Sequence, residues 1–406
     1  MVLGGLLAQI ITFISTLVIT RIYSPVEYAS YALVVSIASI LAPLLSLSME
    51  NFIVPSDSDL KARNIFYHGI YLVSRHSFYA VCIGLTYFLV NRIFHITIFL
   101  APIHTFAIIL LAVSTSVLSL TLQYVLRKSS FTTLALRGPF QNLILGGSQI
   151  GLYGFGFGSF GLIVGEILGR MAGTVFMLRQ IPKEAYERFS NKIYRSSGLK
   201  TGAVTVNFST IFVEMIISSF LIIYIARTFG NSFSGQFALA QKILSLPIVL
   251  IGSVVSQVVL SKSSYALRQG QILSKKLLGK LIGILISIGS VLSLTIFYSA
   301  PSILPLLAGD DWKIAGEILK VTAPLLLITF VWNSTSSIFY VRSLWSQFFV
   351  ITITRFLALI IGAFASLSLN FDLLSSIFTI TAFGCLVQIG GITMLYLTSP
   401  QNNSNI

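Results

Sequence analysis

Six basic side chains stand inside otherwise apolar stretches of the sequence: Arg75, Arg137, Arg170, Lys242, Lys320 and Arg355. The clearest acid in such surroundings is Glu214, and Asn207 lies seven residues before it, on the same face of a helix. A charge at the centre of a membrane helix costs about 2.5–3.5 kcal/mol on insertion scales, so it normally faces water or a partner. An excess of such positive charge points to an anionic ligand. Phosphate fits, through the planar fork of Arg and the point charge of Lys. A carboxylate at low dielectric can hold a proton or a cation, so Glu214 with Asn207 is a candidate site for a coupling H+ or Na+. A structural interhelical bond is the alternative there.

The basic residues differ in what their neighbours offer. Arg137 lies near the start of its apolar run and can snorkel to the interface. Arg170 follows Glu166 by four positions and Lys320 follows Glu317 by three, which puts each pair on one helix face. Local ion pairing and ligand binding are both open for these two. Arg75, Lys242 and Arg355 have no acid three or four residues away, and they are the first candidates to line a substrate path. Gln141, Asn142, Gln149, Gln241, Gln257, Asn333 and Gln388 either line that path or bond between helices. Tyr23, Tyr28 and Trp312 read as interfacial anchors. No P-loop, zinc-ligand spacing or nucleophile elbow occurs. The glycine-rich GLYGFGFGSFG follows an apolar helix and reads as a tight turn, not a phosphate cradle.

The elements that must carry these residues follow from composition. The 406 residues are 55% hydrophobic and 9% charged, too few charges for a soluble surface of this size. A bilayer admits only helices or closed barrels, and the long continuous apolar runs are helical, not alternating. Spans are expected at 2–20, 28–54, 64–90, 98–122, 132–153, 159–178, 203–226, 235–260, 277–300, 313–337, 347–367 and 373–397. The first lacks a charged leader and a cleavage site, so it reads as a span, not a signal peptide. The net charge of +14 resides mainly in short loops, which excludes a nucleic-acid reading. With the N-terminus cytoplasmic, sixteen of the 26 Lys and Arg fall on the cytoplasmic side, four opposite and six within spans. Both termini are therefore expected in the cytoplasm. Cys82 and Cys385 each sit in an apolar run, which argues against a disulfide framework.

The charged stretch RQIPKEAYERFSNKIYRSSGLK separates six spans from six. Across it, TRIYSPVEYASYAL near the end of span 1 matches ARTFGNSFSGQFAL near the end of span 7, pairing Arg21 with Arg227 and Leu33 with Leu239. Pro43 and Pro247 follow at nearly the same offset. The expectation is an all-α membrane protein of about twelve helices in two six-helix bundles forming a parallel repeat, as in alternating-access transporters. The bundles would be residues 1–180 and 203–406, joined by a cytoplasmic linker at 181–202.

Four segments carry a family resemblance: TRIYSPVEYASYALVVSIASI, GLIVGEILGRMAGTVFMLR, SGQFALAQKILSLPIVLIGSVVSQVV and LLAGDDWKIAGEILKVTAPLLL. In these the chain resembles the polysaccharide and O-antigen (Wzx-type) flippases of the multidrug/oligosaccharidyl-lipid/polysaccharide exporter superfamily, which is MATE-like. One departure is Ala29, where the family carries Gly in the first turn; the second half keeps Gly235. The resemblance implies two bundles flanking a central cavity. It implies inversion of an undecaprenyl-pyrophosphate-linked glycan from the cytoplasmic to the periplasmic leaflet of the bacterial inner membrane, driven by an ion gradient. Implied partners are that lipid-linked glycan, membrane lipids, and the polymerase and chain-length machinery, with no nucleic acid. It implies no catalytic residue and no bound cofactor beyond a coupling H+ or Na+. A drug or metabolite exporter of the same superfamily would favour an acidic cavity, against the basic excess here. A membrane-embedded glycosyltransferase or polymerase would need catalytic carboxylates or a large outer loop.

Overall fold

A computed structural model describes residues 2–94, 102–128, 130–179, 201–248, 275–342 and 344–400. Among these residues the chain is helical with no strand, as the apolar runs require. Contacts divide it into two compact units, Met1–Ile222 and Ile223–Ile406. The first holds α1 (Val2–Ile22), α2 (Pro25–Ser46), α3 (Asp59–Phe94), α4 (Pro102–Arg127), α5 (Phe131–Gly154) and α6 (Ser159–Leu178). The division falls inside α7 (Thr201–Thr228). The second unit continues with α8 (Asn231–Pro247), α9 (Lys275–Ala308), α10 (Lys313–Thr335), α11 (Trp345–Ser368) and α12 (Leu373–Leu397). Nine of the described helices are long and apolar enough to cross a membrane. Of the rest, α3 and α5 are richer in polar residues, and α8 is described over 17 residues only.

The expected spans map onto these helices with differences that have local causes. Span 2 does not run unbroken from 28 to 54. Helix α2 stops at Ser46, and Leu47 (φ 50°) and Ser48 (φ 54°) both turn left-handed. A short 3-10 helix, Met49–Phe52, follows, with Met49 and Ile53 fully buried. The apolar character continues through this break, so hydropathy alone does not reveal it. Helix α3 exceeds its expected 64–90 at both ends. Residues 98–101 of span 4, 249–260 of span 8 and nearly all of the linker 181–202 lie outside the described residues.

The start of α2 explains the first family motif. Ser24 is the N-cap, Pro25 opens the helix, and Glu27 closes a capping box: Ser24 Oγ accepts from Glu27 N (3.4 Å) and Glu27 Oε2 accepts from Ser24 N (2.9 Å). The glycine-rich segment is the expected turn between α5 and α6, with Gly156 at φ 77° and Gly158 at φ 52°.

The second motif is a packing seam. Gly161, Gly165, Gly169 and Gly173 recur every four residues along α6, facing α5. A Cβ on Gly169 would lie 2.5 Å from Leu145 Cβ, and one on Gly173 2.6 Å from Gln141 Oε1. One on Gly165 would lie 2.9 Å from the Gln149 backbone nitrogen, and one on Gly161 3.2 Å from Leu152 Cβ. Small residues at such spacing let two membrane helices pack backbone to backbone. Polar bonds add to the seam: Gln149 Nε2 donates to Leu162 O (2.8 Å), and Asn142 Nδ2 ties α5 to Thr12 Oγ1 of α1 (2.8 Å).

In the first unit α4 packs against α2, α3 and α6, and α5 packs against α6. In the second, α10 packs against α8, α9 and α12, and α11 packs against α12. The scheme is the same six helices later, as a parallel repeat requires. The exception is the first helix of each set. Whereas α1 lies along α5, the early part of α7 joins the first unit, where Ser219 Oγ donates to Ser36 O (3.1 Å). Its last turns join the second, where Tyr224 Oη donates to Ser366 Oγ (3.1 Å).

Candidate functional site

Helix α3 is 36 residues long, about 54 Å at the α-helical rise, and Arg75 sits near its middle. Arg75 is exposed on the unit's surface. Its guanidinium carbon stands 5.8 Å from the centre of the Tyr71 ring, one turn back, within cation–π range. Its Nη2 lies 3.2 Å from His76 Nε2, and His76 Nδ1 lies 2.9 Å from Leu45 O at the end of α2. Tyr79, with 53% of its surface exposed, continues the strip one turn on. An exposed cation beside aromatic faces can hold a phosphate and a sugar ring together. The aromatic and histidine neighbours were not singled out from the sequence, although Tyr67, His68, Tyr71, His76 and Tyr79 already recur along this stretch.

Arg170 is placed differently. It lies inside the first unit, its Nε and Nη2 donating to Glu166 Oε1 at 2.9 and 2.8 Å. Its Nη1 donates to Thr115 Oγ1 of α4 (2.6 Å), and Tyr31 of α2 donates to Glu166 Oε2 (2.8 Å). Of the two readings open from the sequence, the structure forms the ion pair. The pair joins three helices, and its side chains are 17% and 10% exposed.

For Lys320 the expected partner Glu317 is not engaged. Lys320 Nζ stands 5.7 Å from the centre of the Phe297 ring of α9, and no Glu317–Lys320 bridge occurs among the described ion pairs. Lys242 on α8 and Arg355 on α11 are half-buried in the second unit. Lys242 O accepts from Ser245 Oγ (2.6 Å), shortly before Pro247. On α7, Asn207 is buried with its amide nitrogen lacking a hydrogen-bond partner among the described residues, and Glu214 is half-buried two turns on. Arg137 is half-buried near the start of α5. Among the described residues no group of three or more His, Cys, Asp or Glu could hold a metal ion.

The expected cytoplasmic end of the first unit is braced by charge. Arg127, the last residue of α4, donates to Val54 O (2.7 Å), Ser56 O (2.6 Å) and Asp59 Oδ1 (3.2 Å). Lys128 reaches Asp59 Oδ2 (3.1 Å), and hydrogen bonds from Lys128 and Arg127 hold that carboxyl below the usual carboxylate range. At the other end Tyr23, in the α1–α2 turn, donates to Gln149 O (2.8 Å). Burial, with Glu27 and Tyr153 nearby, pushes its phenol up to about 12, so it remains a donor.

Comparison with known structures agrees with this architecture. The lipid II flippase MurJ in an inward closed conformation superimposes with a TM-score of 0.72 at 15% identity, covering 96% of this chain and 86% of that one. An inward-facing multidrug resistance MATE family transporter gives 0.58 at 16% identity over 98% and 96%. A mutant of the Vibrio cholerae MATE transporter VcmN gives 0.59 at 11% identity over 98% and 93%. At these identities the likeness concerns the fold. No curated protein sequence matches the chain. The model of a family described as polysaccharide biosynthesis protein matches residues 18–317, so the chain belongs to that family.

Proposed function

We propose that this protein is a flippase carrying undecaprenyl-pyrophosphate-linked oligosaccharide, an O-antigen or other surface-polysaccharide unit, from the cytoplasmic to the periplasmic leaflet of the bacterial inner membrane. Arg75 carries the reading. It lies sixteen residues after Asp59 and nineteen before Phe94, the ends of α3, well within about 30 Å of hydrocarbon. An exposed guanidinium there would cost several kcal/mol against lipid, so its face borders a hydrated path. Cation and aromatic rings together suit a sugar diphosphate on a lipid. Lys242 and Arg355 are proposed to attract the same headgroup, with Arg170 and Lys320 next. Transport proceeds by alternating access, with Glu214 and Asn207 holding the coupling H+ or Na+. Both termini face the cytoplasm, and the polymerase and chain-length machinery are the expected partners. The protein acts as a transporter, not an enzyme.

The test is reconstitution of the purified protein in vesicles containing lipid-linked glycan, with the glycan on each leaflet measured. Movement between leaflets is the expected result. Failure to move any lipid-linked glycan sinks the reading. Full flipping by a normally expressed variant with alanine at Arg75, Lys242 and Arg355 together removes the site assignment.

A further inference from the structure

The bond between Arg75 and His76 constrains protonation. Arginine has only donors, so at 3.2 Å its Nη2–H must meet a lone pair on His76 Nε2. The Leu45 carbonyl accepts only, so His76 Nδ1 carries the hydrogen at 2.9 Å. In this arrangement His76 accepts at Nε2 and donates at Nδ1, and it occupies one arm of the guanidinium. Proton uptake at Nε2 would set two positive charges against each other at that distance. A phosphate oxygen between them removes the conflict, because both nitrogens can then donate to it. On its own helix His76 meets the Arg75 guanidinium and the Tyr79 ring (centroids 6.4 Å apart), while Tyr71 lies against Arg75 and His68 stands two turns back. Helix α4 has no titratable side chain between His104 and Tyr124. Helix α2 has none between Tyr31 and its end, after which Glu50 stands in the 3-10 turn. Among the described ion pairs none joins Arg75 to an acid.

We infer that His76 is a proton-linked positioning residue. In the empty protein it holds Arg75 in place as a neutral acceptor, and arrival of a phosphate headgroup draws a proton from water onto Nε2, turning the pair into a two-pronged anion clamp. Since binding and protonation are linked reciprocally, affinity for the headgroup rises as pH falls. The inference rests on Arg75 meeting the headgroup, as proposed above.

The experiment measures binding of farnesyl pyrophosphate to the purified full chain in detergent at pH 8.0 and 6.0. The probe loses negative charge on acidification, so a site without a titrating partner binds it equally or more weakly at pH 6.0. The expected result for the parent is instead an affinity gain of about three- to tenfold, below the limit of about 100-fold for one linked proton over two pH units. His76→Gln can accept from Arg75 through its carbonyl and donate to Leu45 O through its amide, but takes up no proton. It should bind within about threefold of the parent at pH 8.0 and gain nothing at pH 6.0. A parent affinity that is flat or falls at pH 6.0 overturns the inference, as does a Gln variant that gains like the parent. Arg75→Ala should lose at least about tenfold at both pH values, the loss of one charged hydrogen bond. If it binds like the parent, the headgroup reading itself fails, a result distinct from a lost pH response.

Discussion

Replacing Glu166 with Gln keeps the shape of the side chain and removes its charge. In the native protein the carboxylate accepts from Arg170 Nε, Arg170 Nη2 and Tyr31 Oη, all between 2.8 and 2.9 Å. The pair is 17% and 10% exposed, so solvent screens it little. Breaking such a pair from one side costs about 3–5 kcal/mol, chiefly from the guanidinium left uncompensated. Arg170→Met alone leaves the carboxylate stranded and should cost a similar amount. The double variant Glu166→Gln/Arg170→Met strands neither charge, so it should be more stable than either single variant. Reversible denaturant unfolding of the purified protein in mild detergent gives all four corners of this cycle. Additive losses in the double variant, or a loss below about 1 kcal/mol for Glu166→Gln, would refute the coupling.

Three further outcomes are expected. Gly169→Val puts three carbons where a Cβ alone would lie 2.5 Å from Leu145 Cβ, so it should lower unfolding stability by about 1–3 kcal/mol or more and separate α5 from α6 in cysteine crosslinking. Gln236, 3% exposed, accepts from Ala315 N (2.9 Å) and donates to Asp311 O, so Gln236→Leu should cost about 1–3 kcal/mol by the same unfolding measurement. Asp59→Asn should loosen the brace around Arg127 and Lys128. Because those cations depress the native carboxyl, its contribution is complete above the unfolded value near pH 4 and fades below it. The thermal-shift gap between parent and Asp59→Asn should therefore be present at pH 6 and close as pH falls towards 3.

Order, type and approximate length of the helices could be read because hydrophobicity must persist for about twenty residues to cross a bilayer. The spacing of Glu166 and Arg170 placed them on one helix face and left an ion pair as one of two readings. What hid from the sequence was local or distant. The left-handed pair Leu47–Ser48 lies in a segment that stays largely apolar, so only backbone geometry reveals it. Tyr31 meets Glu166 across 135 positions, which no periodicity encodes. His76 was overlooked because adjacent residues on a helix do not face one another, and the contact forms only because the long Arg75 side chain folds back. Lys320 had an acid at helical spacing and settled over Phe297 instead.

The glycine face of α6 has a consequence for how this sequence can vary over time. Every missense change at Gly161, Gly165, Gly169 or Gly173 adds at least one carbon, and each would meet α5 at or inside contact distance. Where the opposing atoms belong to a side chain, as at Gly173, drift is therefore conditional on prior trimming of the residue opposite. Related sequences should show position 173 varying together with 141, while 165, which meets the Gln149 backbone, stays glycine and the outer face of α6 diverges freely.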